Sequence, residues 1–180
     1  MTGRLRERAG HEYSPRQRYA VLALLAPIFL LLLPVLVVGL GARLDRWLLW
    51  PAILPPPANL VVGCLLIVPS WLFALWSVDR LFTVGRGTPL PLVATQRLVV
   101  EPPYTYCRNP MALGAIGLYL GVAVAVRSLG AVVVVLVLAG VLLAYIKLAE
   151  EREMEIRFGA EYRAYQRRTP FLVPRPRRRP

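Results

Sequence analysis

Two short stretches carry the residues best able to do chemistry. The first is Tyr104-Thr105-Tyr106-Cys107-Arg108-Asn109-Pro110-Met111, closed by Gly114, and the second is the adjacent acidic pair Glu150-Glu151. Pro110 suits the first turn of a helix, where its missing N–H leaves nothing unpaired, and Asn109 then falls at the N-cap. A helix start beside Arg108 favours anions and can take a carboxylate on a guanidinium fork. The same residues serve equally as a positive membrane anchor with an ordinary cap. Glu150 and Glu151 end an apolar run, where the helix dipole disfavours acids. They read either as a solvated helix exit paired weakly with Lys147 and Arg152, or as a carboxylate site for a cationic or polyhydroxyl ligand. Gly114, Gly117 and Gly121 offer either close helix packing or room for a flat ligand. Tyr162 and Tyr165 offer either an interfacial apolar face or the lining of an aromatic pocket. Basic and acidic stretches together form the two jaws of one candidate site.

The elements that must position these jaws are membrane helices. The chain has 180 residues, enough for one domain, and is 57% hydrophobic. Its mean hydropathy is +0.53, and the apolar residues are gathered into long uncharged runs. A net charge of +12 then points to anionic lipid surfaces and not to nucleic acid, for which no motif is present. The single histidine, His11, and the separated cysteines Cys64 and Cys107 make neither a metal site nor a disulfide framework.

In order, the sequence predicts an all-α polytopic membrane domain over residues 1–180. A mobile basic tail occupies 1–16, two N-terminal spans lie within 17–80, a catalytic region covers 81–174, and a basic tail closes 175–180. Four transmembrane helices are expected: Tyr19–Leu40, Leu60–Val78, Met111–Val126 and Leu129–Leu148; the third is short for a full span and is expected to tilt less than the others or to end inside the bilayer. Pro27 and Pro34 should kink the first, and Gly41–Asn59 should be a loop ending in Pro55-Pro56-Pro57. Arg127-Ser128 allows only a tight turn, so the last two spans form a hairpin. Beyond Glu150, Met154, Phe158, Tyr162 and Tyr165 share one face of an amphipathic cytoplasmic tail that Gly159 breaks. Arginine bias places both termini, Arg108 and the acidic pair on the cytoplasmic side of a multi-pass cell-membrane protein.

Several segments together resemble a known family. Gly87-Thr88-Pro89-Leu90-Pro91, Leu98-Val99-Val100 and the Pro103–Gly114 stretch are followed by Glu150-Glu151, Arg157-Phe158-Gly159-Ala160-Glu161-Tyr162-Arg163-Ala164-Tyr165 and Arg168-Thr169-Pro170. Over roughly 85–174 this resembles the bacterial branch of the isoprenylcysteine carboxyl methyltransferases, relatives of the phospholipid N-methyltransferases. The sequence departs from that pattern at Pro102, Thr105 and Ala112. The resemblance implies an S-adenosylmethionine-dependent membrane methyltransferase. In it Arg108 and Glu151 are catalytic, and Tyr106, Arg108, Asn109, Pro110, Gly114, Glu150, Glu151, Tyr162, Arg163 and Tyr165 hold the cofactor. No metal is implied, and the acceptor is a lipophilic small molecule or lipid, methylated on a carboxylate or, alternatively, on a phospholipid amine. A non-enzymatic membrane scaffold or transport component is the reading from another class.

Overall fold

The computed structural model describes residues 14–86 and 95–175. Most of the two basic tails, His11 and the Gly87–Pro91 motif lie outside the described residues. Among those described, every regular element is helical and no strand occurs. The order is α1 (Pro15–Pro27), α2 (Leu33–Leu48), α3 (Ala58–Thr83), α4 (Pro110–Ala125), α5 (Leu129–Tyr145) and α6 (Glu151–Arg168). Single π-helical turns at Ile28–Leu32 and Ile146–Glu150 join α1 to α2 and α5 to α6.

Among the described residues, three helices are long and apolar enough to cross a membrane: Tyr19–Leu48, Ala58–Thr83 and Leu129–Arg168. The fourth expected span is the shorter apolar helix α4. Helix α4 has 16 residues, which at a rise of 1.5 Å each gives about 24 Å, short of a hydrocarbon core of about 30 Å. One expectation is corrected: Gly41–Asn59, read as a loop, is helical in its first part. Helix α2 runs on to Leu48 and stops where Leu49 adopts a left-handed conformation with φ 52°. Gly41 belongs to the helix because α5 packs against it: a Cβ there would lie 2.4 Å from the Ala131 nitrogen.

The structure divides into two compact units. One comprises Leu24–Ala74 and Ala112–Leu143. Its buried core is Val37, Tyr119, Ala123, Ala131 and Val135, while Val35, Leu65 and Val141 point outward from α2, α3 and α5. The proline pair shapes its first helix. In the π turn the Leu33 N–H bonds back to the Ile28 carbonyl. The next carbonyl, of Phe29, would in the same register meet the N–H that Pro34 lacks. The Tyr119 hydroxyl donates to it instead, at 2.6 Å, which is how a neighbouring helix satisfies a proline-freed group. The predicted α4–α5 turn is tight: Arg127 has φ 63°, with Arg127 N–H on Val124 and Ser128 N–H on Ala123, a Schellman motif. Ser128 then caps α5, accepting the Ala131 N–H at 2.9 Å.

The other unit comprises Met1–Ala23, Leu75–Met111 and Ala144–Pro180. The Tyr165 hydroxyl donates to the Tyr104 carbonyl at 2.7 Å, and the Tyr104 hydroxyl to the Ser77 carbonyl at 3.3 Å. Arg157 donates to the Thr95 carbonyl at 3.0 Å and pairs with Glu153. Gly159 bends α6 with φ 53° and ψ −121°, a backbone conformation that only glycine adopts freely. The expected break in that helix is there.

Candidate active site

The two jaws meet directly. The segment preceding α4 lies along the chain that follows α6: Arg108 N–H donates to the Pro170 carbonyl at 2.8 Å, and Arg175 N–H to the Tyr106 carbonyl at 3.1 Å. Asn109, at the N-cap position of α4, donates its side-chain amide to the Phe171 carbonyl at 2.9 Å. Pro110 is fully buried. This backbone pairing carries the Arg108 side chain to the first residue of α6.

There the guanidinium is almost fully committed. Its Nε and one terminal nitrogen donate to Glu151 Oε1 at 2.9 and 2.6 Å. Its other terminal nitrogen donates to the Gln166 and Thr169 carbonyls at 3.0 and 2.9 Å. Arg108 therefore ties the beginning of α6 to its end, on both sides of the Gly159 bend. The second carboxylate oxygen, Glu151 Oε2, receives the Lys147 ammonium at 2.6 Å. Glu151 is 6% exposed and Arg108 9%, whereas Lys147 is 57% exposed. The Phe171 ring lies beneath both cations, 5.7 Å from the Arg108 guanidinium carbon and 5.5 Å from the Lys147 ammonium.

This pair heads an open cleft of about 650 Å³, lined on its charged side by Arg108, Lys147, Glu151, Arg152, Glu155, Arg163 and Arg167. The volume lies within the range of small-molecule sites. Cations outnumber acids along it, and among the described residues no ion pair engages Arg152, Arg163 or Arg167.

The remaining predicted residues divide. Glu150, one helical step from Glu151, is outside the cleft lining, as adjacent residues on a helix must face different ways. Tyr162 and Tyr165 are buried with ring centres 6.1 Å apart and form wall, not lining. Tyr106 packs edge-on to Trp76 at 6.3 Å. Gly114 lies against α3, where a Cβ would stand 2.8 Å from the Ser70 carbonyl oxygen and the Ala74 methyl; Gly117 and Gly121 face the same helix. Cys107 is buried and its thiol is pushed up to about 11, chiefly by desolvation, with the Asn109 backbone bond pulling the other way. Burial likewise raises the Tyr104 phenol well above its ordinary value. Neither group ionises near neutral pH. Among the described residues no cluster of His, Cys, Asp or Glu could hold a metal ion.

A family model described as phospholipid methyltransferase matches residues 58–161, which include the Arg108 motif and both glutamates. The chain belongs to the phospholipid methyltransferase family. With three membrane-length apolar helices among its described residues, this phospholipid methyltransferase relative is a membrane methyltransferase. No curated protein and no solved structure matches it. The family match ends before Gln166, Thr169 and Phe171, the residues that complete the surroundings of Arg108 in this methyltransferase. Sequence reasoning missed those contacts. Gln166 and Thr169 act through backbone carbonyls, which leave no side-chain signature; Phe171 was visible only as an aromatic residue directly after Arg168-Thr169-Pro170.

Proposed function

We propose that this protein transfers a methyl group from S-adenosylmethionine to the carboxylate of a lipophilic, isoprenoid-like acceptor. In this reading it belongs to the isoprenylcysteine carboxyl methyltransferase branch, with residues 81–174 as the catalytic region. The observation that carries the proposal is the buried Arg108–Glu151 pair at the head of an open, two-signed cleft. The residues present fit the cofactor. Its amino-acid end is a zwitterion and its sulfur is cationic, and the cleft offers Arg152, Arg163 and Arg167 for a carboxylate and Glu151 and Glu155 for positive charge.

The cofactor supplies a methyl group on a positively charged sulfur that leaves as a neutral thioether. The chain's own residues bind and orient. Arg108 fixes Glu151 by two hydrogen bonds, so that the carboxylate is preorganised toward a cation. The free arginines at the rim attract anions. An acceptor arriving as a carboxylate needs no base, and positioning supplies the acceleration. The cationic excess of the cleft favours this acceptor over an amine, which would need to lose a proton. The Tyr106 carbonyl and the Asn109 side chain hold the Arg108 segment against the chain after α6, Pro110 starts the helix that follows it, and Tyr165, packed beside Tyr162, binds the Tyr104 carbonyl. Gly114 contributes through helix packing. In the membrane we infer that α4 makes a fourth crossing beside the three longer helices, with both termini cytoplasmic in a cell membrane.

The test is labelled-methyl transfer into a lipid extract with the detergent-solubilised protein. A label released as methanol by mild alkali marks a carboxyl ester. A label that survives alkali on a lipid headgroup marks N-methylation and displaces the carboxylate reading. No incorporation, with no calorimetric binding of the cofactor or its demethylated product, removes the cofactor assignment.

A further inference from the structure

Glu151 is held from two sides by unlike partners. Arg108 approaches from the interior and is itself locked to two carbonyls. Lys147 approaches from the cleft, is more than half exposed, and has no other hydrogen bond among those described. It reaches Glu151 across the π turn Ile146–Glu150, a local widening that often marks functional sites in helices. Its ammonium also sits 5.5 Å from the centre of the Phe171 ring. A buried carboxylate oxygen beside an aromatic face is a site for an organic cation, because both groups attract positive charge and the ring does so without needing a hydrogen-bond donor.

We propose that Glu151 Oε2 and the Phe171 ring form a receptor for an organic sulfonium or ammonium, which Lys147 fills as the chain's own ligand and which a cationic small molecule takes by displacing it. Lys147 is thus a specificity residue: a neutral ligand cannot replace the charge it removes from Glu151, and a cation can. The long, solvated side chain makes the exchange inexpensive, since an exposed ammonium recovers its hydration on leaving. The inference rests on the proposed cofactor reading only for which cation arrives.

The experiment is calorimetric titration of the full chain in detergent, as wild type, Lys147→Met, Lys147→Arg and Phe171→Leu, with thermal unfolding to verify that each variant is folded. The probes are S-adenosylmethionine, its demethylated product, and a short-chain ethanolamine phospholipid. Lys147→Met removes the internal competitor and should tighten a cationic probe by about two- to fivefold, the equivalent of one partly exposed ion pair. Lys147→Arg should bind as wild type, and Phe171→Leu should weaken the same probe. Tightening for the donor but not its product identifies the sulfonium. Equal tightening for both identifies the amino-acid ammonium. Tightening for the phospholipid alone keeps the receptor and assigns it to the acceptor. Unchanged or weaker binding of all three probes by Lys147→Met overturns the receptor. Failure of donor and product to bind any variant sinks the cofactor reading, and the phospholipid arm then decides the receptor by itself.

Discussion

Two carboxylates, Asp45 in one unit and Glu151 in the other, are both drawn into the fold at helix ends, and they are treated in opposite ways. Asp45 accepts the Gly130 N–H at 2.7 Å and the Ser128 hydroxyl at 2.5 Å. Both donors are neutral, both belong to the start of α5, and the charge complements that helix's dipole. Glu151 accepts only charged donors, and one of them is exposed. The first arrangement is sealed: neither partner can leave without opening a helix terminus. The second has a permanent inner partner and an exchangeable outer one. What distinguishes a site from a structural clasp in this molecule is the freedom of the partners, not the burial of the acid.

The strongest way to break this contrast is Arg108→Met. It strips Glu151 of its inner partner and leaves the Gln166 and Thr169 carbonyls unpaired, so a loss of about 3–5 kcal/mol is expected, read as a lower unfolding midpoint in detergent together with lost cofactor binding. Lost binding at unchanged stability would make Arg108 a ligand group only. Next is Asp45→Ala, which orphans the Gly130 N–H and the Ser128 hydroxyl and should destabilise by about 1–3 kcal/mol. Folded Asp45→Ala protein should bind the cofactor with wild-type affinity; a weakened affinity would mean that the sealed end reaches the cleft. Smaller still, Tyr119→Phe removes the donor from the Phe29 carbonyl and should cost about 1 kcal/mol, measurable by the same unfolding assay. The smallest effect concerns Cys107. With its thiol pushed up to about 11, it stays protonated and buried below that pH. A water-soluble maleimide at pH 8 should leave it unmodified in the folded protein and label it on unfolding.

Much of this was legible in the sequence, for identifiable reasons. The Arg127-Ser128 turn, Pro110 opening α4 and the Gly159 bend were readable because turn chemistry and proline or glycine geometry are local. The acidic pair and the Arg108 motif were recognisable as partners, because chain-wide order and spacing preserved the family pattern. The end of α2 was not legible: Arg43, Asp45 and Arg46 looked like a loop, and it is tertiary contacts that hold them helical, the packing of Gly41 on Ala131 and the bonds of Asp45 to Ser128 and Gly130. The use of Arg108 was legible in part. Its charge announced an anion partner, but that partner is Glu151 itself, together with two carbonyls contributed from beyond the bend in α6. Nothing in residue type announces a backbone oxygen.

The bend at Gly159 lets one helix deliver a side chain from its first turn and carbonyls from its last to the same guanidinium. Apart from its chain neighbours and the backbone of its own helix, nothing lies within 4 Å of where a Cβ at 159 would be, so by steric clash alone an alanine there would be harmless. The torsion says otherwise. Straightening α6 at that point would withdraw the Gln166 carbonyl from Arg108 and loosen the cleft from a distance. A variant at position 159 should therefore show the phenotype of a damaged site while leaving every site residue in place.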